Sequence, residues 1–315
     1  MTRVLRWAEM EPALEKIDVV GAMEVGFRAY SAGQAVIPPV GELCFDKPPG
    51  DVHIKYGYLR EGDYYVVKIA SGFYENPQLG LPSSQGLMLL FSKTSGQTEA
   101  VLLDDGRLTD IRTAAAGAVA ARHLAPEEVS QIGIVGAGIQ ARCQLAYLMK
   151  VTACRDVMVW GRNHERVGAY AREVAELGAR VTVAGDAEQL ARSSNLIVTT
   201  TPSREPLLQA AWIQPGTHIT AVGSDSPDKQ ELDAAILGRA DVVVADSISQ
   251  CLVRGEIHRA IEGGQLTEAR VVELGAVVAG TVPGRTSPEQ VTVVDLTGVA
   301  VQDLQIASAV YEALR

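Results

Sequence analysis

Residues 131–147, QIGIVGAGIQARCQLAY, decide how the whole chain is read. Ile132, Ile134 and Val135 form a short apolar run suited to a buried strand. Gly136-Ala137-Gly138 turns the chain, and Ile139 to Tyr147 reads as a helix. Gly136 permits the tight turn. Gly138 carries no side chain to block a pyrophosphate, and Ala141 is small enough for the helix to pack close to the strand. N–H groups at the helix start, around Ile139 and Gln140, would hold phosphates. The pattern is that of a dinucleotide site. The alternative is a Gly-rich turn with a purely structural role.

Texture changes on either side of this motif. Before it, Met1 to Gly33 reads as largely helical, with Ala13, Ile17, Val20, Met23, Phe27 and Tyr30 on one stripe. Pro38, Pro39, Pro48, Pro49 and Gly50 then punctuate short extended pieces. Val52–Tyr58, Tyr64–Ser71, Gly86–Ser92 and Ala100–Asp104 are rich in Val, Ile, Tyr and Leu and are separated by turn residues, which predicts an antiparallel sheet. An Ala-rich helix follows over Thr109–Leu124, with Thr109 or Asp110 as its cap.

After the motif, strands alternate with helices. Strands are expected at 132–135, 156–160, 181–183, 196–199, 218–222 and 242–245, with a last one within 289–294. Helices are expected at 139–150, 164–177 and 187–192. This alternation predicts an α/β, Rossmann doubly wound parallel sheet over residues 119–294. A terminal helix lies beyond it, so residues 1–118 and 295–315 are read together as a discontinuous α+β domain.

Composition narrows the function classes. The 315 residues are 47% hydrophobic and 21% charged, ordinary for a soluble globular protein of about two domains. A formal net charge of −10 argues against nucleic acid and against an anionic membrane. Cys44, Cys143, Cys154 and Cys251 are scattered, which suggests reduced thiols and neither a metal site nor a disulfide framework. The first residues contain acids and no apolar core, unlike a signal peptide, and no apolar run reaches the roughly 18 residues of a membrane span. A cytoplasmic protein is expected.

Dinucleotide choice rests on the second strand of the α/β region. NAD sites place an acid about 20 residues past the glycines. Here the strand ends Trp160-Gly161-Arg162-Asn163, with Arg166 one turn on and no acid. A guanidinium suits a 2′-phosphate, so NADP(H) is preferred and NAD(H) remains possible. The plainer reading of Arg162 and Arg166 is solvated surface charge.

Six segments together resemble the ornithine cyclodeaminase/mu-crystallin family. They are VVKIASGFYENP (66–77), LTDIRTAAAGAVAARHLA (108–125), IGIVGAGIQA (132–141), AVGSDSPDKQELD (221–233), VVVADSISQCLVRGE (242–256) and LTGVAVQDL (296–304). The resemblance implies hydride chemistry on small amino or imino acids. It also implies a homodimer whose substrate domains pair their sheets. It implies that Lys68 lies beside the substrate carboxylate, that Arg112 binds it, and that Asp225, after a Rossmann strand, moves the proton on nitrogen. Asp228 and Asp233 read as turn and cap residues only. Ser83 falls near a family threonine that touches cofactor or substrate, and Ser84 could serve instead. Thr113 would bond a cofactor phosphate. Thr200, Thr201 and Pro202 would flank the nicotinamide, and Gly298 would line the pocket. Tyr58, Phe73, Tyr74 and residues 83–88 are the candidate pocket walls.

One departure stands out. The family often carries a basic residue after a proline in the first extended segment, where this chain has Pro38-Pro39-Val40-Gly41-Glu42. His53, Lys55 or Tyr56 could replace it, with His53 and Lys55 on one strand face. An inward Lys55 would give a charge layout unlike an ornithine site. The favoured activity is therefore reduction of an α-imino acid or cyclic ketimine, or the reverse on an amino acid. The alternatives are ornithine cyclodeamination, with the cofactor recycled, and cofactor binding without turnover.

Overall fold

In the computed structural model, which describes residues 2–73 and 75–315, the chain divides into two units. The first is Met1–Arg112 with Val299–Arg315, and the second is Thr113–Gly298. Tyr74, read as a pocket wall, lies outside the described residues.

The first unit is built on one sheet. Its elements are β1 (Arg3–Arg6), α1 (Trp7–Leu14), α2 (Val19–Ser31), β2 (Ala35–Val36), β3 (Gly41–Asp46), β4 (Pro49–Leu59), β5 (Tyr64–Phe73), β6 (Ser84–Ser92), β7 (Thr98–Leu103) and a C-terminal helix (Ala300–Ala313). The strand order is β1-β7-β6-β5-β4-β2, with β3 also on β4. All pairs are antiparallel except β1 with β7. Side chains alternate faces, so Val66, Lys68, Met88, Leu90, Ala100 and Leu102 point together to a buried side. The C-terminal helix packs on β4, β5, β6 and α2 and covers that side.

The N-terminal reading needs correction. The stretch read as largely helical is a strand followed by two helices. Leu5 is buried while Val4 is exposed, the period of a strand, and β1 adds to the edge of β7. Asp18 restarts the helix by accepting a hydrogen bond from the Gly21 N–H at 3.0 Å. The apolar stripe therefore spans two helices. Its buried members are Ala13 on α1 and Val20, Met23 and Phe27 on α2.

Helix α3 (Arg107–Leu124) also starts earlier than its sequence reading. Asp104, not Thr109 or Asp110, caps it, accepting from the Leu108 N–H at 2.9 Å. Asp105 (φ 54°) and Gly106 (φ 82°) make the left-handed turn that lets Asp104 reach back.

The second unit is an all-parallel sheet. Its strands are β8 (Ile132–Val135), β9 (Asp156–Trp160), β10 (Arg180–Val183), β11 (Leu196–Thr199), β12 (His218–Ala221), β13 (Val242–Ala245), β14 (Val271–Glu273) and β15 (Thr292–Asp295). Helices α4 (Ile139–Leu148), α5 (His164–Ala175), α6 (Ala187–Ser193), α7 (Ala234–Arg239), α8 (Ile248–Cys251), α9 (Gly255–Glu262) and α10 (Leu274–Val278) connect them. The order β10-β9-β8-β11-β12-β15-β13-β14 reverses direction between β8 and β11, the switch point where doubly wound sheets bind ligands. Helices α4 and α5 end slightly before their expected limits, and the last strand begins at Thr292. Short elements α7 to α10 and β14 had no reading because they hold too few turns for a period to show. Among the described residues, no helix is long and apolar enough to cross a membrane.

Asp104→Ala is expected to lower unfolding stability by about 1 kcal/mol, the usual cost of a lost N-cap. Urea titration at pH 7 checks this, and an unchanged midpoint would assign the start of α3 to another contact.

Candidate active site

Two groups of residues carry chemistry, one in each unit. In the first unit, Lys68 sits mid-strand on β5 with Lys55 and Met88 as its cross-strand neighbours. Its side chain is 2% exposed, and its Nζ lies 3.3 Å from Asp303 Oδ2. Arg112 Nε lies 3.0 Å from Asp303 Oδ1, and Arg112 Nη1 donates to Gln302 Oε1 at 2.7 Å. One buried carboxylate thus bridges two cations and fixes the guanidinium plane.

Burial pulls the Lys68 ammonium down to about 7, against the attraction of Asp303 and with help from Arg112 and Lys55. Burial by itself would raise the Asp303 carboxyl. The charges of Lys68, Arg112 and Lys55 outweigh it and hold the carboxyl below its ordinary value.

Alternation sorts the neighbouring candidates. Lys55 is buried on the same sheet face as Lys68, whereas His53 bonds Glu42 at 2.7 Å. Tyr56 and Tyr58 point to the opposite face, so Tyr56 does not replace the basic residue absent after Pro39 and Tyr58 is not a wall beside Lys68. That opposite face holds a cavity of about 720 Å³ lined by Tyr56, Tyr58, Tyr65 and Val67 among others. Phe73 packs on Phe45, with ring centroids 5.5 Å apart. Ser83 closes the β5–β6 hairpin, its carbonyl accepting from the Phe73 N–H at 2.8 Å. Ser84 pairs with Gly72, four residues from Lys68 along β5, about 13 Å at strand rise. The structure does not bring either serine to the cation cluster.

The second unit carries the glycine turn. Gly136 has φ 114°, and a Cβ there would lie 2.5 Å from Thr200 Oγ1. The strand ends of β8 and β11 therefore touch at the switch point, and Thr200 Oγ1 donates to the Val135 carbonyl at 3.1 Å. A Cβ on Gly138 would meet nothing within 4 Å, which leaves room for a ligand. Asn163, Asp186 and Asp233 cap α5, α6 and α7, but no side chain caps α4. The start of α4, at Gly138 and Ile139, is thus without a side-chain cap, the arrangement that suits an anionic ligand. Ala141 is fully buried, as the close packing of α4 requires. These features fit a dinucleotide pyrophosphate.

Arg162 and Arg166 are exposed at the end of β9 and the start of α5, and neither side chain pairs with a carboxylate among the described residues. Asn163 has a structural task as well, accepting from the Arg166 N–H at 3.0 Å. Thr113 is fixed through its carbonyl, which accepts from Gln144 Nε2 at 3.1 Å. Pro202 is exposed after β11. Asp225 follows β12 half-buried, with Lys229 Nζ 2.6 Å from its Oδ1. The Gly298 N–H donates to Asp246 Oδ2 at 2.6 Å. Among the described residues, no group of three or more His, Cys, Asp or Glu is arranged to hold a metal ion.

Sequence reasoning missed Asp303, Gln302, Glu231 and Glu256. A signal existed for the first pair: a charged residue inside the apolar run AVQDLQIASAV must have a buried partner. Burial pushes the Glu231 carboxyl up to about 7, and burial together with the Glu231 charge pushes Glu256 up to about 8.

Residues 2–315 match the ornithine cyclodeaminase/mu-crystallin family. The chain belongs to that family. It is 42% identical over 299 residues to a protein named uncharacterized cyclodeaminase from Sinorhizobium fredii, covering 94% of this chain and 90% of that one. An archaeal alanine dehydrogenase dimer with bound NAD aligns with TM-score 0.92 and 36% identity, covering 99% of this chain and 95% of that one. Delta(1)-pyrroline-2-carboxylate reductase of Thermococcus litoralis, in complex with NADH and L-proline, aligns with TM-score 0.93 and 29% identity, covering 99% and 97%.

Asp303→Asn would leave Lys68 and Arg112 buried without their carboxylate. A loss of about 3–5 kcal/mol is expected at pH 7. Lys68 supplies the pH signature. Its folded value, about 7, lies below its unfolded value of 10.5, so the folded state binds fewer protons between the two. Its unfavourable contribution is full below pH 7 and is relieved as pH rises toward 10.5. Urea titrations from pH 6 to 9 should show this rise in wild type and a flatter profile in Lys68→Met.

Proposed function

We propose that this protein is an NAD(P)-dependent oxidoreductase that reduces an α-imino acid or cyclic ketimine at its α-carbon, or runs the reverse on an amino acid. The Lys68–Asp303–Arg112 constellation carries this reading. Its guanidinium is held in plane by two acceptors on one helix, Gln302 and Asp303, which suits two-point capture of a planar carboxylate. Lys68 adds a second donor to the same carboxylate, and Lys55 contributes positive potential from the facing strand. Asp225 exchanges the proton on the substrate nitrogen. Gly298 is kept as a candidate substrate contact. A bound nicotinamide would supply the hydride chemistry.

Gly136, Gly138, Ile139, Gln140 and Ala141 would seat the pyrophosphate, and Thr113 would add a phosphate contact. Thr200, Thr201 and Pro202 would flank the nicotinamide end. Arg162, Asn163 and Arg166 favour a 2′-phosphate, hence NADP(H) over NAD(H), although the two structural relatives above hold NAD or NADH. The half-buried apolar face bearing Tyr65 and Val67 supports pairing of two copies, as in the dimeric alanine dehydrogenase relative. Ser83 lies too far along β5 from Lys68 to be kept in the substrate site.

A second reading is ornithine cyclodeamination, supported by the 42% identical relative that bears a cyclodeaminase name. The two readings separate in one assay. Absorbance of NADPH and NADH is followed against cyclic imines, and against α-keto acids with ammonia or methylamine, while ornithine is tested for ammonia release. Stoichiometric NADPH loss with an imine is expected. Proline and ammonia from ornithine with no net oxidation would replace the reductase reading.

Arg112→Met should raise KM for the active imine about tenfold to a hundredfold, the range for losing a charged hydrogen-bond pair. In the same assay, Arg162→Ala should lower kcat/KM for NADPH about tenfold and leave NADH nearly unchanged. Equal losses for both cofactors would remove Arg162 from 2′-phosphate recognition.

A further inference from the structure

Behind the candidate nicotinamide end lies a set of buried carboxylates that the proposed reaction does not use. Glu231 is fully buried and its two oxygens take three hydrogen bonds. Oε2 accepts from Thr199 Oγ1 at 2.8 Å and from the Gly223 N–H at 2.9 Å. Oε1 accepts from the Thr201 N–H at 2.5 Å. Thr199 ends β11 and Gly223 follows β12, so one carboxylate stitches two neighbouring strand ends together. Gly223 allows this closeness, since a Cβ there would lie 2.1 Å from the Thr201 carbonyl oxygen.

Glu231 is itself seated from behind. Glu256 Oε1 accepts from the Glu231 N–H at 2.6 Å, and its Oε2 accepts from the Leu232 N–H at 3.2 Å. Asp295, at the end of β15, in turn accepts from the Ile257 N–H at 2.9 Å and so fixes the start of α9, which carries Glu256. The series runs along the carboxyl edge of the sheet and ends at the loops bearing Thr200, Thr201, Pro202 and Asp225.

We propose that Glu231 is a positioning residue for the nicotinamide end of the cofactor, acting by clamping the Thr199–Thr201 and Gly223–Asp225 segments, with Glu256 as its seat. This rests on the reading that Thr200–Pro202 faces the nicotinamide. An apolar residue in its place would strand two partly buried backbone N–H groups and a buried hydroxyl at this spot. Glutamine is a sharper probe. With its oxygen at the Oε2 position it keeps Thr199 and Gly223, but it turns an NH2 toward the Thr201 N–H.

The test uses the full chain and compares two ligands by calorimetry: NADH, and ADP-ribose, which lacks the nicotinamide. Glu231→Gln should bind ADP-ribose within about twofold of wild type and NADH about tenfold more weakly, a loss typical of one buried hydrogen bond. A purely structural role would weaken both ligands equally or neither, and either result overturns the proposal. If Glu231→Gln does not fold, Glu256→Gln reads the same ratio, with a smaller shift in the same direction expected. Failure of the proposed function is distinguishable. Wild type would then bind NADH yet turn over no imino acid, and the NADH to ADP-ribose ratio would still decide the role of Glu231. If wild type binds neither, the same pair is read with NADPH and 2′-phospho-ADP-ribose, and wild type that binds none of the four would overturn both.

Discussion

Asp303 bridging Lys68 and Arg112 is the interaction on which the rest depends. Burying an ammonium and a guanidinium beneath a helix is strongly unfavourable unless a carboxylate sits between them. Asp303 meets that need from the C-terminal helix, which also covers the sheet. The same contact sets the electrostatics, because it keeps a positive site from shedding all its charge at neutral pH. Replacing the triad with apolar residues of similar volume would be neutral or favourable for stability in many proteins. Its presence is in keeping with the proposed capture of a substrate carboxylate, a role that stability alone would not require.

The second unit handles anions differently. It offers few fixed charges at the glycine turn, and in the proposed reading the phosphates are held by the uncapped start of α4, where Gly138 leaves open space. Deeper in the sheet edge the order is inverted, with carboxylates accepting from backbone N–H groups at strand and helix ends. Donors thus face outward to ligands while acceptors sit behind them and hold the loops in shape.

Some of this was legible in residue order. Gly136 reveals itself because the tight turn excludes a side chain and Ala141 because helix packing does, while Gly138 stands out in the sequence as the open position of the same motif. Family segments marked Lys68, Arg112 and Asp225. What stayed hidden depends on partners distant in the chain. Asp303 acquires meaning only once its helix is known to cover β5. Asp104 was passed over because its reach to Leu108 needs a left-handed turn at Asp105, a conformation uncommon for a non-glycine residue. Tyr58 was misplaced as a wall beside Lys68 although strand parity sets it on the far face from Lys55. The break between α1 and α2 was missed because a single apolar stripe runs through both helices.

The split course of the first unit affects the order in which the chain acquires structure on the ribosome. Lys55, Lys68 and Arg112 are made early, but their counter-charge at Asp303 follows the whole of the intervening Thr113–Gly298 unit. Until then the lysines of β4 and β5 lack that carboxylate, and the register of the two strands rests on the apolar residues that share their face, Val66, Met88 and Leu90 among them. The face bearing the lysines is therefore completed only after the continuous unit has been made. The last helix of the chain then brings the carboxylate to both cations and covers the sheet. The buried cation pair thus obliges the protein to finish its first-made domain last.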